Sequence, residues 1–451
     1  MKKFILLVCL FLIPTKCFAF NIVYPAKNDV TINSKSTFFI GSSDTPLKIN
    51  GNDVPRHISG GFAYVVNLEN GTNTFVIQSG DERQIFVITR PVLKSTCKLP
   101  VEFKMYNEKR PFYVVTENAP LRSTPVDAGI NRMAHLQRNV ALNVDGEKNG
   151  FYRVVLDKDN FGWIAKSNVK EFQNYENKPA VMTGYDYDDS EEYFTFIFHL
   201  DKRVPYEITE GTQMNIKFFN ISEIGTYVMD FPAEEAMCGK KLLGYSGEYQ
   251  GNDFVWKIRK PPVINHKKPL HNIKIAIDAG HGGYENGAKG CFGDKEKDIN
   301  LIISKNLEDE LKKRGAKVIM TRTDDSYKSL KERVDIANAQ DAMVLLSIHA
   351  NALPDGADPN KISGTSVYYY YEQAKPLAQE IFNTMTQQLS TNDDKVRQAS
   401  LALVRNTNAL SLLIETAYLV NPDDNVKLVS PEFQKACAKA IADALEKYFQ
   451  K

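Results

Sequence analysis

The sequence contains little that would place this protein across a membrane or on a nucleic acid. After residue 19 it has no apolar run long enough to span a bilayer. Its 56 basic residues nearly balance its 55 acidic ones, which gives no support for a nucleic-acid partner or a polybasic membrane anchor. We find no internal repeat and no long low-complexity segment. The chain is also too long for one compact core, and at about 150 residues per domain it predicts roughly three domains.

The first 19 residues have the pattern of a secretory signal peptide. Lys2 and Lys3 precede a short apolar run, and the small residues Cys17 and Ala19 suit cleavage before Phe20. Removing the three lysines of this stretch leaves 53 basic against 55 acidic residues, a net charge of −2. We therefore expect an exported bacterial protein, located in the periplasm, the cell wall or the medium.

Histidines are few, yet two of the seven stand where polar side chains are least expected. His281 follows a short β-branched strand and is bracketed by glycines, and His349 ends an apolar run typical of a buried strand. Glu296 opens an amphipathic helix shortly after His281, and Glu415 ends another apolar run. In an open α/β sheet, ligands bind outside the carboxyl ends of the strands, so these four residues should converge.

Two histidines and a glutamate form a three-ligand zinc set that leaves a fourth position for water. Such a zinc gives a nucleophilic water near neutral pH. Glu296 is the better candidate for the third ligand because it starts the helix that follows the strand of His281. That leaves Glu415 as the proton acceptor. Taken singly, a histidine after glycine is more often a turn residue, and a glutamate after an apolar run is more often a cap or ion-pair member. The joint position of all four favours a site.

Four segments of the C-terminal domain resemble the signatures of the zinc-dependent N-acetylmuramoyl-L-alanine amidases of bacterial cell walls. They are Asp278-Ala-Gly-His-Gly-Gly, Lys295-Glu-Lys-Asp-Ile-Asn, Ser347-Ile-His-Ala-Asn and Glu415-Thr-Ala-Tyr-Leu-Val-Asn-Pro. The resemblance covers about residues 270–451 and implies one zinc ion held by His281, Glu296 and His349, with Glu415 as the catalytic residue. It implies hydrolysis of the amide between N-acetylmuramic acid and L-alanine, with peptidoglycan as the partner.

The same resemblance suggests substrate-binding roles for four further residues: Asn300, Arg333, Asn351 and Arg405. Ala417 and Tyr418 replace the glycine and phenylalanine that usually follow the catalytic strand, which puts substrate detail in doubt but leaves the ligands intact. Two alternatives stay open. The zinc site could cut another bond of the stem peptide, as a peptidase does, or the chain could be a wall-binding regulator with an idle catalytic domain.

The fold class expected is multidomain, with three all-β modules before a doubly wound α/β domain. Residues 20–92 resemble an Ig-like β-sandwich, residues 93–172 a bacterial SH3-like β-barrel, and residues 173–262 more weakly an AMIN-like sandwich. Residues 263–270 read as a linker and 271–451 as the catalytic domain.

Four cysteines follow the signal, and they allow three full pairings among which the sequence does not choose. Cys437 shares a helical face with apolar residues, which predicts a buried thiol. Cys291 lies between two ligand candidates and could be a fourth ligand, although the family gives it no such role. Cys97 and Cys238 lie in the β modules.

Overall fold

The computed structural model describes residues 19–92, 101–127, 129–173, 178–211, 213–232 and 241–450. Residues 1–18 of the predicted signal, together with Cys97 and Cys238, lie outside these ranges, so the cleavage site and their pairing remain predictions. Within the described ranges, no helix is both long and apolar enough to cross a membrane.

The first β region is a sandwich of two sheets. One sheet has the strand order β1-β3-β6 and the other the order β2-β8-β7-β4-β5. Phe39 is fully buried between them, with its ring 5.5 Å from that of Phe75 and 5.3 Å from that of Phe86. The strands are β1 Phe20–Tyr24, β2 Asp29–Thr31, β3 Ser36–Ser43, β4 Lys48–Ile49, β5 Asn52–Asp53, β6 Gly61–Asn67, β7 Gly71–Ser79 and β8 Glu82–Arg90.

The second β region is one seven-stranded sheet with the order β11-β10-β14-β13-β12-β9-β15. Every pairing in it is antiparallel. We call this region the barrel module. Its strands are β9 Lys104–Val114, β10 Ala119–Arg122, β11 Arg132–Leu136, β12 Ala141–Lys148, β13 Phe151–Val155, β14 Phe161–Ala165 and β15 Val169–Glu171.

The third β region has a four-stranded sheet, β16-β17-β22-β21, and a three-stranded sheet, β18-β19-β20. Alternate residues of β17 are buried, as its alternating sequence predicts. The core of this region is continuous with that of the barrel module, so the two pack as one body. Its strands are β16 Met182–Asp189, β17 Tyr193–Leu200, β18 Tyr206–Thr209, β19 Met214–Ile221, β20 Gly225–Phe231, β21 Tyr245–Gln250 and β22 Asp253–Arg259.

The C-terminal domain is a six-stranded sheet with the order β24-β23-β25-β28-β26-β27. Its strands are β23 Lys274–Ala279, β24 Lys317–Met320, β25 Val344–Asn351, β26 Thr365–Tyr369, β27 Asp393–Gln398 and β28 Leu410–Tyr418. Its helices are α1 Glu296–Lys313, α2 Leu330–Ala339, α3 Lys375–Leu389, α4 Pro422–Leu428 and α5 Pro431–Gln450. The sheet is mixed, because β26 runs antiparallel to β28. That pairing departs from the parallel sheet that we expected.

Helices cover both faces of this sheet. Ile303 of α1, Ile381 of α3 and Ile441 of α5 belong to the core on one face. Ala337 of α2 packs with Leu345 of β25 on the other face. Sequence periodicity predicted α1, α2, α3 and α5, but it missed α4 and β27. The residues of β27 are mostly charged or polar and carry no apolar run, and α4 depends on a cap from Asn421.

The sandwich and the third β region both contact the C-terminal domain. Phe38, Ile40 and Ala63 of the sandwich form an apolar cluster with Cys291 and Val420. Asp341, between α2 and β25, accepts hydrogen bonds from Arg259 and Tyr193 of the third β region. The chain is therefore held together at two separate seams.

Candidate metal centre

The loop after β23 brings backbone unusually close to functional side chains. His281 has a φ of 60°, a left-handed conformation that few residues other than glycine adopt. A Cβ added at Gly280 would lie 2.3 Å from the ring of His349, and one at Gly287 would lie 2.3 Å from Oε2 of Glu296. The glycines are thus required for the loop to pass beside these two side chains.

His281, Glu296 and His349 come together as predicted, because the ends of β23 and β25 meet the start of α1. The carboxylate of Glu296 lies between the two rings, with Oε2 3.1 Å from Nε2 of His281 and Oε1 2.9 Å from Nδ1 of His349. One candidate ligand atom from each residue lies within 4.8 Å of the others. These three side chains therefore present two nitrogens and one carboxylate to a common point.

The charges of this trio depend on one another. Burial opposes ionisation of Glu296, but hydrogen bonds from His281 and His349 outweigh it and hold the pKa of the carboxyl far below its usual range. Burial likewise opposes a charge on His349, but its hydrogen bond to Glu296 raises the pKa of the imidazole to about 9. The carboxylate and the imidazoles therefore compensate one another in this partly buried site.

Glu415 stands on β28 directly opposite His349 in the pairing of β25 and β28. Its Oε2 is buried and has no hydrogen-bond partner among the described residues. Burial raises the pKa of this carboxyl to about 7, and nearby Glu296 adds to the rise while His349 opposes it. A buried, unpartnered carboxylate oxygen is costly, and its retention beside the trio points to a chemical use.

Arg333, for which the sequence suggested substrate binding, is buried inside the domain. It is 2% exposed, and it donates to Oδ1 of Asp278 at 2.7 Å and to the carbonyl oxygen of His281 at 2.8 Å. Asp278 also accepts from Thr321 and Ser347. This buried network fixes the backbone of the loop that carries His281.

Asn300, for which the sequence suggested the same role, likewise lies inside the protein. It is fully buried one turn after Glu296, and its amide donates to Oε1 of Glu296 at 3.2 Å and to the carbonyl oxygen of Gly280 at 3.3 Å. Asn300 therefore orients the ligand candidate. Such outer-shell partners tune the ligands that they touch.

Arg322 is a supporting residue that the sequence reasoning missed. It is 3% exposed and donates to the carbonyl oxygens of Ala279, Gly280 and Lys297. Its position just beyond β24, which runs parallel to β23, was a signal available in the sequence, because parallel strands end at one edge.

The remaining predicted residues fall in different places. Asn351 ends β25, two residues after His349, and is partly exposed, so its substrate-binding role stays a prediction. Arg405 precedes β28 and belongs to a separate cleft, so the structure does not bring it to Glu415. Cys291 is fully buried, with its thiol 3.6 Å from the carbonyl oxygen of Phe62, and is not a ligand candidate. Cys437 is a free buried thiol, as predicted.

The donor set fits zinc. Two imidazole nitrogens and one carboxylate oxygen are ligands that zinc prefers, and three protein ligands are typical of catalytic zinc sites. The three candidate ligand atoms lie within 4.8 Å of one another, close enough to share one ion.

Comparison with known proteins identifies the family. Residues 275–447 match the family model described as N-acetylmuramoyl-L-alanine amidase. The uncharacterised protein YqiI of Bacillus subtilis is 35% identical over 192 residues, covering 42% of this chain and 90% of that protein. The C-terminal domain therefore makes this chain a member of the amidase family.

Two further similarities concern proteins with named activities. The N-acetylmuramoyl-L-alanine amidase LytC of Bacillus subtilis is 36% identical over 188 residues, which are 41% of this chain and 37% of LytC. The solved structure of the amidase AmiC2 of Nostoc punctiforme is 36% identical, covers 40% of this chain and 98% of AmiC2, and has a TM-score of 0.38. This chain thus spans little more than a third of the length of LytC.

Proposed function

We propose that this protein is an exported, zinc-dependent peptidoglycan amidase that cleaves the bond between N-acetylmuramic acid and L-alanine. The proposal rests on membership of the amidase family together with the four side chains at the edge of the C-terminal sheet. The β regions, in this proposal, hold the catalytic domain near the cell wall.

One observation carries the proposal furthest: the buried, unpartnered Oε2 of Glu415 lies on the strand next to His349. A structural carboxylate would be paired or exposed. An unpaired one beside a three-ligand set is suited to hold a proton during hydrolysis.

His281, Glu296 and His349 would hold the zinc ion. When bound, zinc supplies Lewis acidity that activates water near neutral pH. Glu415 takes the proton of the attacking water on Oε2 and returns it to the nitrogen of the departing L-alanine. Arg333 and Asn300 position the ligands and keep their geometry fixed.

The test is mass spectrometry of the soluble and insoluble products from purified peptidoglycan. We expect the native protein to release whole stem peptides and to leave glycan without peptide substituents. A peptidase would leave L-alanine attached to the glycan, and that result would reject the proposed bond. A zinc-chelated sample should be inactive and should recover on adding zinc. No product from a zinc-loaded sample would favour the idle, regulatory alternative.

Export is tested separately. We expect the protein recovered from the producing cell's envelope or medium to begin at Phe20, as measured by intact mass. A mature protein that retains residues 1–19 and stays in the cytoplasm would reject this part of the proposal.

A further inference from the structure

A cleft of about 520 Å³ lies where the barrel module, the third β region and the C-terminal domain meet. Arg132 and His135 of β11 line it from the barrel module, and Arg405 lines it from the C-terminal domain. Tyr206, Tyr245 and Tyr371 also line it. Arg405 precedes β28, whereas Glu415 is near the end of that strand, so the cleft is distinct from the metal centre.

Two arginines, Arg132 and Arg405, line this cleft, and both have donors without a partner among the described residues; the charge of Arg122 also acts on Arg132 from outside the lining. Arg122 is 4% exposed and is satisfied by Asn131 and by an ion pair with Asp127. Arg132 contacts Nε2 of His135 at 3.2 Å, but its Nε is buried and has no partner among the described residues.

Arg405 reaches the same cleft from the C-terminal domain. Among the described residues its side-chain hydrogen bonds all use Nη1, which donates to the carbonyl oxygen and to the hydroxyl of Ser400. The rest of its guanidinium is therefore available to a ligand.

Glu248 and Asp335 also line the cleft, but both are exposed, Asp335 pairs with Lys331, and neither forms an ion pair with Arg132 or Arg405 among the described residues. Asp127 pairs with Arg122, but 79% of its side chain is exposed, which weakens its effect on buried neighbours. Burial lowers the pKa of Arg132, and the charges of Arg405 and Arg122 lower it further. Burial and the same arginines lower the pKa of His135 to about 4, so this histidine adds no charge but can accept a hydrogen bond.

An unpartnered buried guanidinium nitrogen and facing like charges are both unfavourable unless a counter-ion is present. Guanidinium groups bind carboxylate and phosphate through paired, planar hydrogen bonds, so an oxyanion meets both needs. We propose that this cleft is a binding site for an oxyanion. Arg132 binds the anion from the barrel module and Arg405 binds it from the C-terminal domain, so the anion links the two. The site does not depend on the reaction proposed for the metal centre.

The experiment measures thermal unfolding of the full mature protein, loaded with zinc, while sodium phosphate or sodium acetate replaces sodium chloride at constant ionic strength. We expect a saturable rise of about 2–4 °C in the midpoint, because a ligand that binds the folded state stabilises it. A rise with phosphate alone indicates that the site binds phosphate, and a rise with both anions indicates that it also binds carboxylates.

Substitutions separate this site from anions that contact zinc. Arg132→Gln and Arg405→Gln should each abolish the anion-dependent rise. Arg132→Lys should keep the fold and raise the anion concentration needed for half of the rise about tenfold. Arg138→Gln is the matched control, because Arg138 belongs to the same module and its side chain is 53% exposed beside Glu117. An unchanged rise in Arg132→Gln, or no rise in the native protein, overturns the proposal.

Discussion

The metal centre and the arginine cleft are both built from charged side chains, but they balance their charges in opposite ways. At the metal centre, His281 and His349 share the carboxylate of Glu296, and Arg333 is paired with Asp278. In the cleft, the charge of Arg405 acts against that of Arg132, and the acids that line it, Glu248 and Asp335, are exposed. The charges of the metal centre balance without a further anion, whereas we infer that those of the cleft need a bound anion to balance them.

This difference explains what each site tolerates. Removing only one partner of a buried ion pair strongly destabilises the fold, because the other charge stays buried without its partner. Removing one of several facing like charges relieves repulsion instead. Substitutions at the metal centre should therefore cost activity or stability, while those in the cleft should mainly change the response to anions.

The largest effect expected is loss of activity in Glu415→Gln. The amide keeps the size of the side chain but cannot accept a proton, so the rate of stem-peptide release should fall about 10²–10⁴-fold. Zinc content measured by mass spectrometry should stay at the native level. Glu191→Gln, on an exposed loop, is the control and should be fully active. A near-native rate in Glu415→Gln would remove Glu415 from the mechanism.

A large loss of stability is expected in Asp278→Asn. Asp278 is 1% exposed and pairs with Arg333, so its neutralisation leaves a buried guanidinium without its counter-charge. We expect the unfolding free energy of the C-terminal domain to fall by about 3–5 kcal/mol. Urea denaturation followed by a probe in that domain measures this change. Asp309→Asn, on the exposed face of α1, should change stability by less than about 0.5 kcal/mol. Equal effects of the two substitutions would contradict the comparison.

A smaller effect is expected on metal affinity in Asn300→Ala. Loss of the hydrogen bond to Glu296 should weaken zinc binding about 10–100-fold, because the ligand is no longer oriented. Competition with a chromogenic chelator measures the dissociation constant. Asn306→Ala on the same helix makes the same chemical change away from the ligands and should bind zinc normally. If both variants bind as tightly as the native protein, Asn300 has only a packing role.

The smallest effect concerns the seam between the third β region and the C-terminal domain. Burial opposes ionisation of Asp341, but hydrogen bonds from Arg259 and Tyr193 lower the pKa of its carboxyl to about 2. The ordinary value is about 3.9, so its contribution to stability is complete above pH 4 and is lost as the pH falls toward 2. The stability difference between the native protein and Asp341→Asn should shrink over that interval. Because the side chain is 32% exposed, we expect about 1 kcal/mol or less. A difference that does not change with pH would contradict this account.

The sequence predicted the metal centre well because strand ends and glycine spacing are local signals. The four predicted residues His281, Glu296, His349 and Glu415 come together in the structure, although their chemical roles remain proposals. The burial of Arg333 and Asn300 could not be predicted, because a motif gives a residue's position but not whether its side chain turns toward solvent or toward the backbone.

The arginine cleft had no comparable signal. Arg132 stands in no motif, and the resemblance that singled out Arg405 says nothing of a residue in another domain, so only the packing of one domain on another brings the two to one cleft. The mixed direction of the sheet was also out of reach, because the apolar pattern of β26 predicts a strand but not the direction in which it pairs with β28.

The apolar seam between the sandwich and the C-terminal domain has a practical consequence for anyone isolating the enzyme domain. Phe38, Ile40 and Ala63 cover Cys291 and Val420. A fragment starting near residue 271 would expose Cys291 and Val420 to solvent. It would then have an apolar surface patch and an accessible thiol. Such a fragment should aggregate and, as dissolved oxygen oxidises pairs of Cys291 thiols, form disulfide-linked dimers. A polar replacement at Val420 together with Cys291→Ser should restore its solubility.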